Sequence, residues 1–310
     1  MTTKTTNGLR ELLTGMRAAY SRGENAMEFA RRISGDLSNS VMATLLAYDL
    51  QAGSYVAKVR GDPQSNQQWC QQLAIELAPY IDAGCSMLEV GCGEATTLAG
   101  VIHALPRKPR ECFGFDISWS RCAEALGWLK SNDCSARLFV ADLFSIPLAD
   151  ESVDVVYTSH SIEPNGGREE RALAELLRVA RRTVVLIEPL YELGTPEAQQ
   201  RMRHHGYVRG LRNAASSLGG DVRTCRLLDY SSNPLNPSGV IVIQKARSTA
   251  TRGAEFQCPL TATPLSDKGE AYYSEATGLA YPVLGGIPLL RPEHMVVASK
   301  LRLSKQATAH

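Results

Sequence analysis

One stretch, Ser86-Met87-Leu88-Glu89-Val90-Gly91-Cys92-Gly93-Glu94-Ala95-Thr96-Thr97-Leu98, constrains this chain more than any other. Met87 to Val90 reads as a short buried strand, the two glycines as a turn, and the residues from about Ala95 as the opening of a helix. Glycine admits a close backbone approach where a Cβ would clash. The amides of such a turn and of the helix N-terminus then face whatever lies against them. A glycine turn alone decides little; the strands on its C-terminal side carry the decision.

After a helical stretch from Thr97 to Ala104, Glu111-Cys112-Phe113-Gly114-Phe115-Asp116 reads as a second strand ending in a carboxylate, 25 residues beyond Gly91. An acid at that place in a βαβ unit can accept both hydroxyls of a ribose. A third strand, Arg137 to Ala141, ends in Asp142-Leu143, suited to an adenine amino group and ring. A fourth, Val153 to Ser159, ends in Ser159-His160. Four polar strand ends on one edge of a parallel sheet form a ligand crevice.

On these residues the chain resembles the class I S-adenosylmethionine-dependent methyltransferases. Glu89-Val90-Gly91-Cys92-Gly93 is similar to their first motif, Asp116 to their ribose acid and Asp142-Leu143 to their adenine-side pair. The run Pro147-Leu148-Ala149-Asp150-Glu151-Ser152-Val153-Asp154-Val155-Val156 is also very like the family. The resemblance spans about residues 86 to 190. A dinucleotide dehydrogenase would place glycine at position 96, where this chain has Thr96. The resemblance implies a Rossmann-like α/β fold with a seven-stranded, mostly parallel sheet and helices on both faces. It implies S-adenosyl-L-methionine as cofactor, held by Glu89, Gly91, Cys92, Gly93, Asp116, Ile117, Asp142, Leu143 and Ser159.

The organisation expected is an N-terminal helical extension or lid (1–80), a cofactor-binding domain (81–246), a linker (247–254) and a small β-rich domain with its tail (255–310). In the first segment Leu9, Leu12, Leu13 and Met16 recur at helical spacing, and Arg10, Arg17, Arg22, Arg31 and Arg32 make it basic, which reads as a solvated helix face. Val41 to Leu50 is an apolar helix with Tyr48 near its end, and Tyr55 follows; both tyrosines read mainly as packing residues. Asp62-Pro63 starts a helix through Ala78. Residues 195–218 read as one helix, and Val222 to Tyr230 and Gly239 to Ala246 as a closing strand pair. The segment from Phe256-Gln257-Cys258-Pro259 to Ala280-Tyr281-Pro282 and Gly286-Ile287-Pro288 resembles the small activator proteins that partner RNA and protein methyltransferases. Thr261 stands where that family has its second cysteine. One thiolate and His294 cannot complete a tetrahedral zinc site, so no metal is expected.

A net charge of +1 offers no global field for nucleic acid or acidic membrane. No apolar run is long enough to span a bilayer, and the first residues lack a secretory apolar core. Eight cysteines are scattered without CxxC pairs. A cytoplasmic protein is expected; a homodimer is compatible with this reading.

Methyl transfer to an alcohol requires removal of a proton near the transition state, so a base is expected beside the fourth strand end. His160 is the candidate, since imidazole titrates near neutral pH. Glu163 and Asn165 could orient it or bind acceptor hydroxyls, although 163–167 also reads as a plain turn. Tyr191, His204, His205 and Tyr207 are candidate walls of the acceptor site, although a solvated helix face explains this polar segment equally well; adjacent His204 and His205 lack the spacing of a zinc helix. The Asn/Asp-Pro-Pro-aromatic motif of many base and glutamine N-methyltransferases is missing, with Glu163-Pro164-Asn165 in its place. These readings favour O-methylation of a small polar acceptor, such as a sugar or biosynthetic intermediate. The alternatives are methylation of RNA or protein aided by the activator-like segment, and a module that binds the cofactor without turnover.

Overall fold

The structure, a computed structural model, describes residues 3–34, 41–246 and 253–301. Most of the expected linker, residues 247–252, lies outside the described residues, as does the side chain of Arg31. Among the described residues five helices come first: α1 (Thr3–Ser21), α2 (Ala26–Ser34), α3 (Val41–Leu50), α4 (Ser54–Gly61) and α5 (Pro63–Leu77). The alternating region comes next as β1 (Ser86–Val90), α6 (Thr96–Ala104), β2 (Glu111–Asp116), α7 (Trp119–Ser131), β3 (Arg137–Val140) and β4 (Val153–Ser159). It continues through α8 (Glu169–Val179), β5 (Ala180–Pro189), α9 (Pro196–His205), α10 (Leu211–Ser217), β6 (Asp221–Leu227) and β7 (Ser238–Gln244). The last described strands are β8 (Ser266–Asp267), β9 (Ala271–Ser274), β10 (Leu279–Leu284), β11 (Ile287–Pro288) and β12 (Val296–Val297).

Among the described residues β1 to β7 form one seven-stranded sheet in the order β3-β2-β1-β4-β5-β7-β6, with only β7 antiparallel to its neighbours. β1 is buried along its whole length, Ser86 and Glu89 included, because it lies mid-sheet with a layer on either face. Leu88, Val90 and Val156 face a core shared with α8 and α10, while Met87, Val155 and Tyr157 face one shared with α5, α6 and α7. From β1 the chain winds outward through β2 and β3, then returns to β4 on the other side. The gap between β1 and β4 is therefore the topological switch point, where parallel sheets hold ligands beyond their strand ends.

Residues 195–218 are not one helix. Gly206 takes left-handed φ 68° as the C-cap of α9, and Gly210 takes φ 66° before α10. The segment around this break folds onto the loop after β4: Val208 N–H donates to Glu163 O (3.0 Å) and Gly166 N–H to Gly206 O (3.1 Å). A Cβ on Gly166 would fall 2.5 Å from Gly206 O, so the approach requires glycine there. A helix not expected from the sequence, α4, occupies residues after the Gln51-Ala52-Gly53 turn.

Helices α1, α2 and α3 share a small core of Met16, Ala26, Ala30, Ala43 and Ala47. Arg10, Arg17, Arg22 and Arg32 are exposed. At the opposite end of the chain, β8 to β11 form an antiparallel sheet with β12 beside β10. This sheet covers the β3 edge, which would otherwise present unpaired backbone groups. Leu290 N–H donates to Val140 O (2.8 Å) and Gln257 N–H to Pro147 O (3.0 Å). Phe256 is the side-chain bridge, its ring 5.0 Å from those of both Phe139 and Tyr272. Phe256→Ala is expected to cost about 3–5 kcal/mol, the usual loss for a buried ring. Denaturant unfolding should show it in a single transition. A change near zero would mean that the terminal sheet folds apart from the main core.

Candidate active site

A cavity of about 570 Å³ occupies the switch point. Its floor is the turn after β1. Gly91 (φ 67°) and Gly93 (φ 54°) both lie in the left-handed region, as does Ala95 (φ 55°), the N-cap of α6. A Cβ on Gly91 would stand 2.4 Å from Ser161 Cβ, so glycine lets the loop after β4 lie directly against the turn. Glu89, Cys92 and the two glycines all line the cavity.

Asp116 closes β2 beside them. Its Oδ2 accepts from Gly93 N–H (3.1 Å) and its Oδ1 from Ser118 N–H (2.9 Å), so one carboxylate ties together two loops. Burial lifts its pKa above the ordinary carboxylate value, opposed by the Arg121 charge and these amides. Ile117, Asp142, Leu143 and Ser159 continue the wall, and Asp142 Oδ1 accepts from Phe144 N–H (2.9 Å). The cofactor-side residues expected from the sequence thus share one cavity.

Glu89 is buried, and the Tyr157 hydroxyl donates to its Oε2 (2.9 Å). Burial pushes its pKa up to about 8, outweighing that hydrogen bond. The folded chain therefore holds a proton that the unfolded chain has already lost. Its stabilising effect is complete below the unfolded carboxylate pKa and is lost as pH rises toward 8. Glu89→Gln, uncharged at every pH, is expected to lose less stability than wild type between pH 5 and pH 9. Unfolding midpoints across that range test it, and parallel curves for the two proteins would refute the assignment.

Three residues that sequence reasoning missed build the roof. The Glu94 carboxylate caps the N-terminus of α4, accepting from the N–H groups of Gly53 (3.0 Å), Tyr55 (3.3 Å) and Val56 (2.7 Å). Arg121 donates to Tyr48 O (3.1 Å) and Gln51 Oε1 (3.2 Å), and its guanidinium lies 4.6 Å from the Tyr48 ring and 4.8 Å from that of Tyr55. Asp49 Oδ1 accepts from the Ser118 hydroxyl (2.8 Å). Tyr48 and Tyr55 both line the cavity, so they wall the site as well as pack. Glu94 belongs to the glycine stretch itself, but its partners lie some forty residues away and no local pattern announces them.

The far wall is the loop after β4. His160 has φ 55°, a rare conformation for a residue with a Cβ and one that recurs at functional sites. Its Nδ1 lies 2.6 Å from Glu163 Oε2 and its Nε2 2.8 Å from Ser238 Oγ. A carboxylate only accepts, so Nδ1 carries the proton and the neutral ring presents its lone pair at Nε2. Burial alone would lower the His160 pKa, but the carboxylates of Glu163 and Glu188 reverse this and raise it. Glu188, the acid near the end of β5, is buried beneath the loop and accepts from the N–H groups of Ser161 (3.0 Å), Ile162 (3.1 Å) and Glu163 (3.1 Å). Trp69 of α5 lies edge-on to the imidazole at 5.7 Å.

Of the expected acceptor-side residues, Glu163, Asn165 and Tyr207 line the cavity, and Asn165 Oδ1 accepts from Arg168 (2.8 Å). Tyr191, His204 and His205 do not line it. The break between α9 and α10 turns Tyr207 inward and leaves the two histidines behind, with His205 stacked 5.3 Å from the Tyr207 ring. Tyr191 instead takes part in a cluster with Arg203 and Arg209, each 5.8 Å from its ring. Among the described residues no group of three metal-ligating side chains comes together, and no helix is long and apolar enough to cross a membrane.

Residues 87–183 match the sequence profile of a family described as a methyltransferase domain. No curated protein matches the chain. Among solved structures it is similar to a Haloferax volcanii complex of a methyltransferase activator with a methyltransferase, at 17% identity over 64% of this chain and 96% of that one, with a TM-score of 0.49. It is similar to magnesium protoporphyrin IX methyltransferase from Synechocystis at 15% identity, covering 75% and 99% of the two chains with a TM-score of 0.47. A third is geranyl diphosphate C-methyltransferase from Streptomyces coelicolor, at 11% identity, 63% and 85% coverage and a TM-score of 0.46.

Proposed function

We propose, from the premise that this chain carries a class I S-adenosylmethionine-dependent methyltransferase domain, that it methylates an oxygen of a small polar acceptor with His160 as general base. The observation that carries this reading is the His160–Glu163 pair on the cavity wall. A carboxylate 2.6 Å from Nδ1 fixes the tautomer and offsets the charge that forms when Nε2 takes a proton.

The residues around the cavity fit the cofactor. Gly91 and Gly93 line the cavity with left-handed backbone and no side chain of their own, and Asp116 stands at the edge of the same cavity. In this reading Asp116 accepts the ribose hydroxyls, and Asp142 with Leu143 meets the adenine. S-adenosylmethionine supplies a methyl group on a sulfonium, which needs no activation by the protein. The tasks left to this chain are alignment, exclusion of water and removal of the acceptor proton. Arg121, Tyr48 and Tyr55 serve the second from the roof. Glu188 serves the first and third, because it holds the backbone that presents His160.

A radiolabelled methyl donor offered to separate pools of hydroxylated metabolites, amines, RNA and protein tests the proposal. Label is expected in the hydroxylated pool. Label in RNA or polypeptide would instead support the macromolecular reading, and cofactor binding with no transfer to any pool would support a module that binds without turnover.

A further inference from the structure

The imidazole meant to take the acceptor proton does not present a free lone pair. Nε2 is met at 2.8 Å by the hydroxyl of Ser238, the first residue of β7, which lines the same cavity. In the neutral ring, the form that can act as a base, Nδ1 donates to Glu163 and Nε2 accepts from the Ser238 hydroxyl. The serine backbone is fixed on both sides: Leu228 N–H donates to its carbonyl (3.0 Å), and its own N–H reaches Ser231 Oγ (3.4 Å). The hydroxyl is thus the part free to turn, about one side-chain bond. Glu163 is itself held, its Oε1 accepting from Asn236 (3.3 Å), so the imidazole cannot swing away in its place.

We propose that Ser238 is a positioning residue that occupies the base until an acceptor hydroxyl displaces it, and so marks where the acceptor oxygen must sit. The inference rests on the reading of His160 as base. An acceptor that presents one O–H donor restores the hydrogen bond it breaks, and the displaced serine hydroxyl is then available to accept from a neighbouring group of the ligand. A ligand without a donor leaves Nε2 with Ser238. The substrate class implied is a hydroxyl compound, aliphatic or phenolic, that reaches the Ser238–His160 contact.

The contact can be tested without knowing the acceptor. Diethyl pyrocarbonate carbethoxylates the unprotonated imidazole nitrogen, and peptide mapping isolates His160 from the other five histidines of the chain. With S-adenosylhomocysteine present, His160 in Ser238→Ala is expected to react roughly tenfold faster than in wild type, the order expected for losing one hydrogen bond. Ser238→Thr, which keeps a hydroxyl, should react at the wild-type rate. Equal rates in wild type and Ser238→Ala, or no reaction of His160 in either, would overturn the proposal. Unchanged S-adenosylhomocysteine affinity in both variants shows that the fold is intact. Failure of the base reading shows separately, as full methyl transfer by His160→Asn.

Discussion

Asp116→Ala is expected to weaken S-adenosylhomocysteine binding by roughly 10²–10⁴-fold, the range for losing two hydrogen bonds to a charged acceptor. The direct loss is the pair of ribose contacts proposed for this carboxylate. A second loss is internal, because Gly93 N–H and Ser118 N–H both donate to Asp116 and would be left without a partner. The glycine turn then loses its anchor to β2. Asp116→Asn should recover little, since its amide end offers a donor where two amides already donate. Calorimetric titration measures both variants. An affinity close to wild type would remove Asp116 from the cofactor site.

His160→Asn is expected to reduce methyl transfer by roughly 10²–10⁴-fold while leaving S-adenosylhomocysteine affinity unchanged, the range removed with a general base. The pH profile adds a test that mere misfolding would not pass. The base works when neutral, and Glu163 and Glu188 raise its pKa, so wild-type activity should rise with pH through an inflection above the ordinary histidine value. Glu163→Gln should move that inflection to lower pH. For stability the sign is opposite. The protonated ring paired with Glu163 stabilises the fold fully below the unfolded histidine pKa, and that contribution disappears as pH rises through the folded one. A flat pH profile, or an unshifted one in Glu163→Gln, would remove His160 from proton transfer.

The strand–turn–helix unit, the acids at the ends of β2 and β3 and the position of His160 were legible in the sequence because each is a local pattern: an apolar run that stops at a polar residue. What lay hidden depends on separated stretches. Glu94 stands within the most informative segment of the chain, but its role is set by backbone amides of Gly53, Tyr55 and Val56. Ser238 reads as one more polar residue after Asn236-Pro237, and only the antiparallel return of β7 beside β5 brings it to Nε2. The single helix expected over 195–218 broke because Gly206 and Gly210 each take a left-handed conformation, and an isolated glycine in a helical pattern is compatible with either outcome. That break separated Tyr207, which reaches the cavity, from His204 and His205, which do not.

The loop after β2 is held from both directions of the chain. Asp49 accepts from the Ser118 hydroxyl, and the very next residue, Trp119, donates its indole N–H to Leu284 O at 3.0 Å. During synthesis the first clamp is available as soon as β2 has been made. The second must wait until residue 284 has left the ribosome, well over a hundred residues later. The loop after β2 can therefore be braced from one side only until β10 has been made, after β7 has completed the seven-stranded sheet.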